Sequence, residues 1–560
     1  MEKPISESKF WPYFAVASVC VIVLAATRWS FAHPFGIHWD ESLYINEANV
    51  DLQRLMSGRL LNLVRRILME SSIRPPAYRL LALPFLVPFG YHTTLARLSS
   101  LACFCLSVRF VYLAARRFAS QAASVFAALI FAFSPEVISA SIFFSTDAPL
   151  YLAVSGMLYY VFAYWTDQVE RTRTWIGLGL AIGLGFLSKT SFAAIVLPVL
   201  AFVLFENFRK HLGLRGLSPI LKAGALGFII AVPWWLLHFR SALVYAQFAR
   251  STVRNSLGAP SLSMLARWFG GVFLAVLGPC IGILIVILLI SWIQEAFIRK
   301  RTTLNSLRRN AIVGCACAGI PIVLTQVSST NHLLRYLTPS VIPLAIACGV
   351  LAGSMTWATS RIMQGVTLLL VCSQLGIVVY PVVIPNKQPV EIGLVNGTLP
   401  WRTMARFEQW DWSAVREISQ SCGVASPKIS FLGATRTLNP PAIEFPWVVA
   451  ATSARQRDFD FAEPIWLWQY EEGPPDWQKL MNSVEQSDVV VTAPNYAGEP
   501  GSVDQQDNQY DAELADRLSR SGYFQRPFHL EMGRFAPIDV VVFVKNAFDC
   551  SPRMQVHATN

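Results

Sequence analysis

Long apolar stretches separated by short basic loops make up about the first 380 residues of the chain. A helix needs about 20 apolar residues to cross the hydrocarbon of a bilayer. By this measure the pattern predicts eleven membrane spans, and we interpret the first of them as a retained signal anchor. The predicted spans lie near residues 11–31, 95–115, 120–141, 147–165, 174–188, 190–206, 218–237, 264–296, 310–327, 336–353 and 361–381.

The first loop after a span, residues 32–94, is long enough to have structure of its own. Its last part, 76–90, is apolar but short and contains three prolines, so we expect an interfacial or re-entrant segment there. Residues 48–68 place apolar side chains at helical spacing with arginines between them. This pattern predicts an amphipathic helix in the headgroup plane, broken near Gly58. The loop 238–263 is a second candidate for such a helix.

The charges of the chain predict its orientation. Residues 1–380 contain 31 Lys and Arg but only 13 Asp and Glu, and the basic residues cluster in alternate loops. The positive-inside rule places those loops, and the N-terminus, in the cytoplasm. The remaining loops, including 32–94, then face outward, as does the C-terminal tail. The net charge of +11 therefore reflects membrane topology, and no nucleic-acid partner is expected.

Composition separates the chain into two predicted domains. Only 14% of the residues are charged, against about 25% in soluble proteins, so the fold class is a polytopic α-helical membrane protein over residues 1–383. From residue 384 to 560 the alternation of short apolar runs with amphipathic segments predicts an exported, soluble α/β domain. An exported domain could form a disulfide between Cys422 and Cys550.

Two neighbouring acids, Asp40 and Glu41, follow the first predicted span directly. A carboxylate near hydrocarbon is costly and is usually retained for a function. The run from His38 to Tyr44 therefore predicts a catalytic loop at the outer face of the membrane.

Other polar residues are predicted to lie on the same face, and they include both acids and cations. A carboxylate can act as general base, a contribution of about 10²–10⁴ in rate, and Lys or Arg can hold a phosphate by charge-assisted hydrogen bonds. A lipid-phosphate sugar would need both. Structural roles are the alternatives: a helix cap for Asp147, and snorkelling or interfacial anchoring for the cations and tyrosines. The residues are Arg74, Tyr78, Glu136, Asp147, Lys189, His332, Arg335 and Tyr336.

In the order and spacing of these motifs the chain resembles the polytopic GT-C glycosyltransferases that use lipid-phosphate sugars. It is most similar to the bacterial aminoarabinose transferases and the protein O-mannosyltransferases. The matching pieces are Trp39-Asp40-Glu41-x-x-Tyr44, Arg74-Pro75-Pro76-x-Tyr78, Arg97-Leu98, Ser134-Pro135-Glu136, Thr146-Asp147, the run ending in Lys189, and His332-x-x-Arg335-Tyr336-x-x-Pro339.

The resemblance implies a function and roles for single residues. The enzyme would transfer a sugar from a polyprenyl-phosphate donor to an acceptor outside the cytoplasmic membrane, with inversion at the anomeric carbon. Hexose, pentose and aminosugar are all open, and the acceptor could be a lipid, a polysaccharide, a protein or a small molecule. Asp40 would be the catalytic base beside Glu41, and Asp147 would position the acceptor or a divalent metal ion. The implied substrate-binding residues are Arg74, Lys189 and Arg335 at the donor phosphate, with Tyr44, Tyr78, His332 and Tyr336 around the pocket.

Three other interpretations stay open at this point. A membrane transporter would place ionisable residues near the bilayer midplane between paired halves, whereas here they lie at span ends. A lipid-linked polysaccharide ligase or polymerase would share the donor chemistry. A non-catalytic cell-envelope assembly protein would use the exported domain as its working part.

Overall fold

The computed structural model of the protein describes residues 10–35, 39–69, 74–166, 171–209, 213–251, 261–298, 304–355, 361–383, 410–433, 438–454, 461–468, 473–496, 508–525, 527–533 and 537–550. Up to residue 383 the described structure is helical. The helices are α1 (Phe10–Ala32), α2 (Trp39–Met56), α3 (Leu60–Met69), α4 (Ala77–Phe89), α5 (Thr93–Arg116), α6 (Gln121–Ala132), α7 (Pro135–Ile142), α8 (Asp147–Thr166), α9 (Arg171–Ser188), α10 (Ala193–Arg209), α11 (Gly213–Ser251), α12 (Leu262–Gly271), α13 (Pro279–Ile293), α14 (Ser306–Val327), α15 (Val341–Ala352) and α16 (Arg361–Val383). Short 3₁₀ or π turns occupy Thr190–Phe192, Val272–Leu277, Gln294–Ile298 and Leu334–Ser340.

The protein is a multi-pass membrane protein. Within the described ranges eight helices are long and apolar enough to cross a bilayer, or nine if α6 and α7 form one bent span. The predicted number of eleven is therefore not confirmed. Helices α8 and α9 are present with 20 and 18 residues but are not among these eight. Helix α4 has 13 residues, too few for a span, in agreement with the expectation for 76–90.

Two stretches that hydropathy predicts as continuous spans are broken. The stretch 120–141 divides into α6 and α7, which meet at an angle of 62°. The stretch 264–296 breaks at Gly278, whose φ is +82°, before α13 begins at Pro279. Both breaks precede a proline, which cannot donate a backbone hydrogen bond and disfavours the helical conformation in the residue before it. The prediction of unbroken spans was wrong at both places.

A single buried glutamine of α16 satisfies backbone groups at both breaks. The Gln374 amide nitrogen donates to the carbonyl of Phe133 at 3.3 Å, and its side-chain oxygen accepts from the backbone N–H of Cys280 at 3.2 Å. Gln374 is fully buried. Because unpaired backbone groups are costly in a membrane interior, this residue stabilises the two irregular segments together.

Helices α9 and α11 pack closely through glycines. A Cβ atom added at Gly179 or Gly183 of α9 would lie 2.9 or 2.8 Å from Leu226 or Ile230 of α11, and one at Gly227 would lie 2.6 Å from Ile182. This spacing of small residues allows two helix backbones to approach in a membrane. The contact fixes the C-terminal end of α9, which Lys189 follows directly.

The tail forms the α/β domain that the sequence predicts. Its five-stranded sheet has the order β2-β1-β3-β5-β4, with β1 parallel to β2 and β3, and β5 antiparallel to β3 and β4. The strands are β1 (Lys428–Phe431), β2 (Glu463–Trp466), β3 (Val489–Thr492), β4 (Phe528–Met532) and β5 (Ile538–Val544), and the helices are α17 (Ser413–Ser421), α18 (Pro440–Ser453), α19 (Trp477–Val484) and α20 (Asp511–Ser521).

Both faces of this sheet are covered by helices. Alternate strand residues point to opposite sides, so Val489 and Val491 join the core under α17 and α18, whereas Val490 joins the core under α19 and α20. The predicted disulfide between Cys422 and Cys550 is present and joins the end of α17 to the segment after β5.

The chain divides into two compact units that do not follow chain order. Unit 1 comprises Met1–Ser30, Val64–Leu81 and Arg97–Ala405, and unit 2 comprises Phe31–Leu63, Ala82–Ala96 and Arg406–Asn560. Most of the first predicted outer loop therefore belongs with the tail. The predicted domain boundary between residues 383 and 384 lies next to a segment outside the described residues and stays a prediction.

The first predicted amphipathic helix is only partly confirmed. The chain does break at Gly58, whose φ is +73°, and Leu60, Leu61 and Val64 of α3 are exposed, as an interfacial helix requires. Residues 48–53 of α2, in contrast, are buried, because α2 packs against α18 within unit 2. Of the second candidate, residues 238–251 continue α11, and residues 252–260 lie outside the described residues.

A buried acid in the tail makes its stability depend on pH. Burial raises the pKa of Asp511 to about 7, although its carboxylate accepts a 3.0 Å hydrogen bond from the backbone N–H of Ala493. The unfolded chain releases this proton near pH 4, so the folded state binds more protons between about pH 4 and pH 7. Stability of the tail should therefore fall as pH rises through this window.

The substitution Asp511→Asn should remove this contribution, because an amide does not ionise. As the pH is raised from 4.5 to 7.5, we expect the unfolding temperature of the tail to fall more in the wild-type protein than in the variant. Differential scanning calorimetry of both proteins measures the difference. Parallel pH dependences would contradict the assignment.

Candidate active site

The site is built around Asp147, the first residue of α8. The Ser145 hydroxyl donates to the carbonyl of Ala140 at 3.1 Å and accepts from the backbone N–H of Asp147 at 3.2 Å, which shapes the turn before α8. Asp147 is 1% exposed. A carboxylate in the first turn of a helix is favoured by the helix dipole, but one this buried also needs cationic partners.

Two cations supply these partners. The Lys189 ammonium lies 2.6 Å from one carboxylate oxygen of Asp147, and the Arg335 Nε lies 3.6 Å from the other. Lys189 has extended backbone between α9 and the 3₁₀ turn Thr190–Phe192, and Arg335 lies in the 3₁₀ segment Leu334–Ser340. Their side chains are 19% and 21% exposed. Each cation therefore contacts the buried acid and keeps an accessible side.

An aromatic ring and a second acid complete the cluster. The ring of Tyr336 lies 4.9 Å from the Lys189 ammonium and 5.8 Å from the Arg335 guanidinium, which is within cation–π range. Glu136, in the first turn of α7, is buried and within electrostatic range of Arg335 and Asp147. The sequence-predicted residues Asp147, Lys189, Arg335 and Tyr336 are thus together in unit 1.

The backbone of Arg335 is held by two residues that sequence reasoning missed. The Thr338 hydroxyl donates to the carbonyl of Arg335 at 2.7 Å, and the Tyr151 hydroxyl donates to Thr338 at 2.5 Å. Tyr151 and Thr338 are fully buried. Tyr151 lies one helical turn after Asp147 on α8, so this i, i+4 spacing was the only signal in the sequence.

His332 lies in a loop that contacts the end of the long helix α11. The Asn331 amide donates to the carbonyl of Ala249 at 2.7 Å, and the Ser329 hydroxyl donates to the carbonyl of Arg250 at 2.7 Å. These bonds satisfy carbonyls that a helix end leaves unpaired. His332 is buried, and among the described residues no group of three or more His, Cys, Asp or Glu side chains is arranged to hold a metal ion.

Arg74 and Tyr78 also belong to unit 1, but they contact different neighbours. Arg74 donates to the Tyr245 hydroxyl at 3.1 Å and lies over that ring. Tyr78 is buried against Phe144, with ring centroids 5.7 Å apart. Phe144 lies in the turn before Asp147, so Tyr78 borders the site, whereas Arg74 contacts Tyr245 of α11.

Asp40, Glu41 and Tyr44 lie in unit 2. They occupy the first two turns of α2, so the predicted catalytic loop is helical from Trp39 onward. Acids in the first turn favour helix formation there. Glu41 and Tyr44 are buried, and Asp40 is partly exposed. Their assigned roles, and a divalent ion at Asp40 and Asp147, stay predictions; His38 lies outside the described residues.

The chemistry of the cluster in unit 1 suits an anionic ligand. A lysine ammonium has three N–H donors and an arginine guanidinium has five, and Asp147 engages only part of them. The solvent-accessible sides of Lys189 and Arg335 can bind phosphate oxygens while Asp147 keeps both cations in place.

Comparison with known proteins agrees with this fold. Residues 74–237 match the family model of dolichyl-phosphate-mannose-protein mannosyltransferase. The crystal structure of ArnT from Cupriavidus metallidurans bound to undecaprenyl phosphate superposes with a TM-score of 0.55 and 14% identity, covering 96% of this chain and 98% of that one. The chain has the fold of the GT-C glycosyltransferases.

Two further relatives extend the comparison with GT-C proteins. The oligosaccharyltransferase AglB from Archaeoglobus fulgidus, in complex with an inhibitory peptide and a dolichol-phosphate, gives a TM-score of 0.52 at 13% identity, over 95% of this chain and 74% of that one. The undecaprenyl phosphate-alpha-4-amino-4-deoxy-L-arabinose arabinosyl transferase 2 of Proteus mirabilis (strain HI4320) is 28% identical over 156 residues. That match spans 26% of this chain and 27% of the relative's length.

The pairing of Asp147 with Lys189 should be measurable as a coupling energy. Asp147→Asn removes the carboxylate charge that both cations contact, so we expect a loss of about 1–3 kcal/mol in stability, below the full cost of breaking a buried pair because the cations keep some solvent contact. Lys189→Met should cost less in the Asp147→Asn background than in the wild type.

Thermal unfolding in detergent of both single variants and the double variant gives the coupling by a double-mutant cycle. The exposed pair Arg520–Asp516 of α20 is the control, and its coupling should stay within about 0.5 kcal/mol. Additive effects of the Asp147 and Lys189 substitutions would contradict the pairing.

Proposed function

We propose that this protein is an integral membrane glycosyltransferase that moves a sugar from a polyprenyl-phosphate donor to an acceptor on the outer face of the cytoplasmic membrane. The sugar is a hexose or a pentose, and the anomeric configuration is inverted. The observation that carries the proposal is the cluster in which Lys189 and Arg335 meet at the buried carboxylate of Asp147.

The cations bind the phosphate of the donor. The donor is a phosphodiester with one negative charge, and the released polyprenyl phosphate is a monoester that carries more. Lys189 and Arg335 therefore stabilise the transition state more than the ground state, because negative charge on the phosphate grows as its bond to the sugar breaks. Asp147 and the Tyr151–Thr338 hydrogen bonds hold the cations in place beforehand.

Asp40 is the general base in this proposal. It takes the proton from an acceptor hydroxyl, whose oxygen forms a bond to the anomeric carbon. The bond between that carbon and the phosphate oxygen breaks, and its electron pair leaves with the polyprenyl phosphate. Attack from the face opposite the leaving group inverts the centre. The assignment of Asp40 and its neighbour Glu41 rests on the sequence motif.

Two observations support an outward-facing tail, and with it the outer face as the place of reaction. The Cys422–Cys550 disulfide is typical of an oxidising compartment outside the cytoplasm. The basic loops between spans follow the positive-inside pattern only if the tail faces outward.

Solved proteins of similar fold support the nature of the donor. The ArnT structure is of a complex with undecaprenyl phosphate, and the AglB structure is of a complex with a dolichol-phosphate. Both ligands are polyprenyl phosphates, the leaving group that the proposed reaction releases.

The base assignment is tested by Asp40→Asn, which keeps the shape of the side chain but cannot accept the proton. Membranes containing the variant are supplied with undecaprenyl phosphate that carries a radiolabelled hexose or pentose, and label transfer to endogenous acceptors is measured. We expect a loss of at least 100-fold, the lower range of general-base contributions.

The control for this experiment is Asp516→Asn, a change at an exposed carboxylate of α20 in the tail, which should transfer label like the wild type. The test uses a donor sugar that the wild type transfers. If Asp40→Asn transfers this sugar as fast as the wild type, Asp40 is not the general base.

A further inference from the structure

The tail contacts the chain on both sides of the helix that carries Asp40, within unit 2. Before α2, the ring of Phe35 lies 6.0 Å from Phe445 of α18, and near the end of the loop 32–94 the ring of Tyr91 lies 5.9 Å from the same ring. At the start of α2, Trp39 packs edge-on against Trp466 of β2 with centroids 5.2 Å apart. Trp39 is the residue directly before Asp40.

A buried hydrogen bond joins the middle of α2 to the tail. The Asn46 amide donates to the carbonyl of Pro441 at 2.8 Å and lies 3.4 Å from a carboxylate oxygen of Glu444. Asn46 is 4% exposed. A buried hydrogen bond is directional and costly to lose, so it fixes the rotation of α2 about its axis, which apolar contacts alone specify less well.

The contact of Asn46 with the tail lies on a different side of α2 from Asp40. At 100° per residue, Ser42, Asn46, Asn49 and Gln53 form one buried polar stripe. Asp40 and Tyr44 lie on nearly the opposite side of the helix. The tail can therefore hold α2 without covering the proposed base.

We infer that the tail positions the catalytic base: by binding α2 at Asn46 and Trp39, and the segments outside α2 through Phe445, it fixes where the Asp40 carboxylate lies. Asn46 is a positioning residue, since it acts through Asp40 and touches no substrate. The inference rests on the proposed function, because it takes Asp40 as the base.

The chain offers a matched control for Asn46. Asn49 lies one turn further along the same stripe and is fully buried, but neither polar atom of its side chain has a hydrogen-bond partner within the described part of the chain. Replacing either asparagine by leucine keeps the approximate volume and the helix. Only the change at Asn46 removes a bond to the tail.

The experiment compares Asn46→Leu and Asn49→Leu in the full-length protein, with the labelled undecaprenyl-phosphate sugar as substrate and undecaprenyl phosphate as the binding probe. We expect Asn46→Leu to lower the maximal transfer rate about tenfold or more while the affinity for undecaprenyl phosphate changes less than twofold. Asn49→Leu should stay within twofold of the wild type in both measurements.

A change on the tail side tests the same inference from the other partner. Phe445→Ala should also lower the maximal rate without weakening undecaprenyl phosphate binding. Phe548→Ala, a change at a ring that packs against the tail core, should leave the maximal rate unchanged. The recovery of folded protein in size-exclusion chromatography and its unfolding temperature are recorded for each variant, and rates are expressed per folded molecule.

Equal rates per folded molecule for Asn46→Leu and Asn49→Leu would overturn the positioning role, as would a parallel loss of rate and of undecaprenyl phosphate affinity. These results are distinct from a failure of the proposed function. In that case Asp40→Asn itself would stay active, whereas a failure of this inference alone leaves Asp40→Asn inactive.

Discussion

A carboxylate that is buried beside a membrane has to be neutralised, and Asp147 meets this requirement with two cations from distant parts of the sequence. Lys189 follows α9, and Arg335 comes from the segment before α15. Their attraction to one acid requires the start of α8, the end of α9 and the 3₁₀ segment to converge. Close packing of α9 on α11, and the hydrogen bonds from Tyr151 through Thr338 to Arg335, keep that convergence fixed.

The sequence alone predicted the charged and aromatic members of this cluster, but it did not predict the residues whose hydrogen bonds hold them in place. Asp147, Lys189, Arg335 and Tyr336 stand out because charged residues near spans are rare and usually functional. Tyr151 and Thr338 do not stand out, because a hydroxyl side chain in an apolar run is ordinary in a membrane span. Their role becomes visible only with the hydrogen bond between α8 and the segment that contains Arg335. Gln374 was missed for the same reason.

The errors about the membrane helices have a common physical cause. Hydropathy averaged over a window reports apolar content and is insensitive to a kink, so the breaks before Pro135 and Pro279 were not predicted. Likewise, helical periodicity over residues 48–68 cannot distinguish a helix lying on lipid from one buried by another domain. Residues of α2 are buried because α18, some 400 residues later in the chain, packs against them through contacts such as that of Asn46 with Pro441.

The most direct test of the account is the affinity of the purified protein for undecaprenyl phosphate when Lys189 is changed to methionine. If the cations at Asp147 bind the donor phosphate, Lys189→Met should weaken binding about tenfold or more, since a charge-assisted hydrogen bond contributes about 1.5–3 kcal/mol. Lys222→Met, a change at an exposed lysine of α11, should bind like the wild type. Equal affinities of Lys189→Met and the wild type would contradict the account.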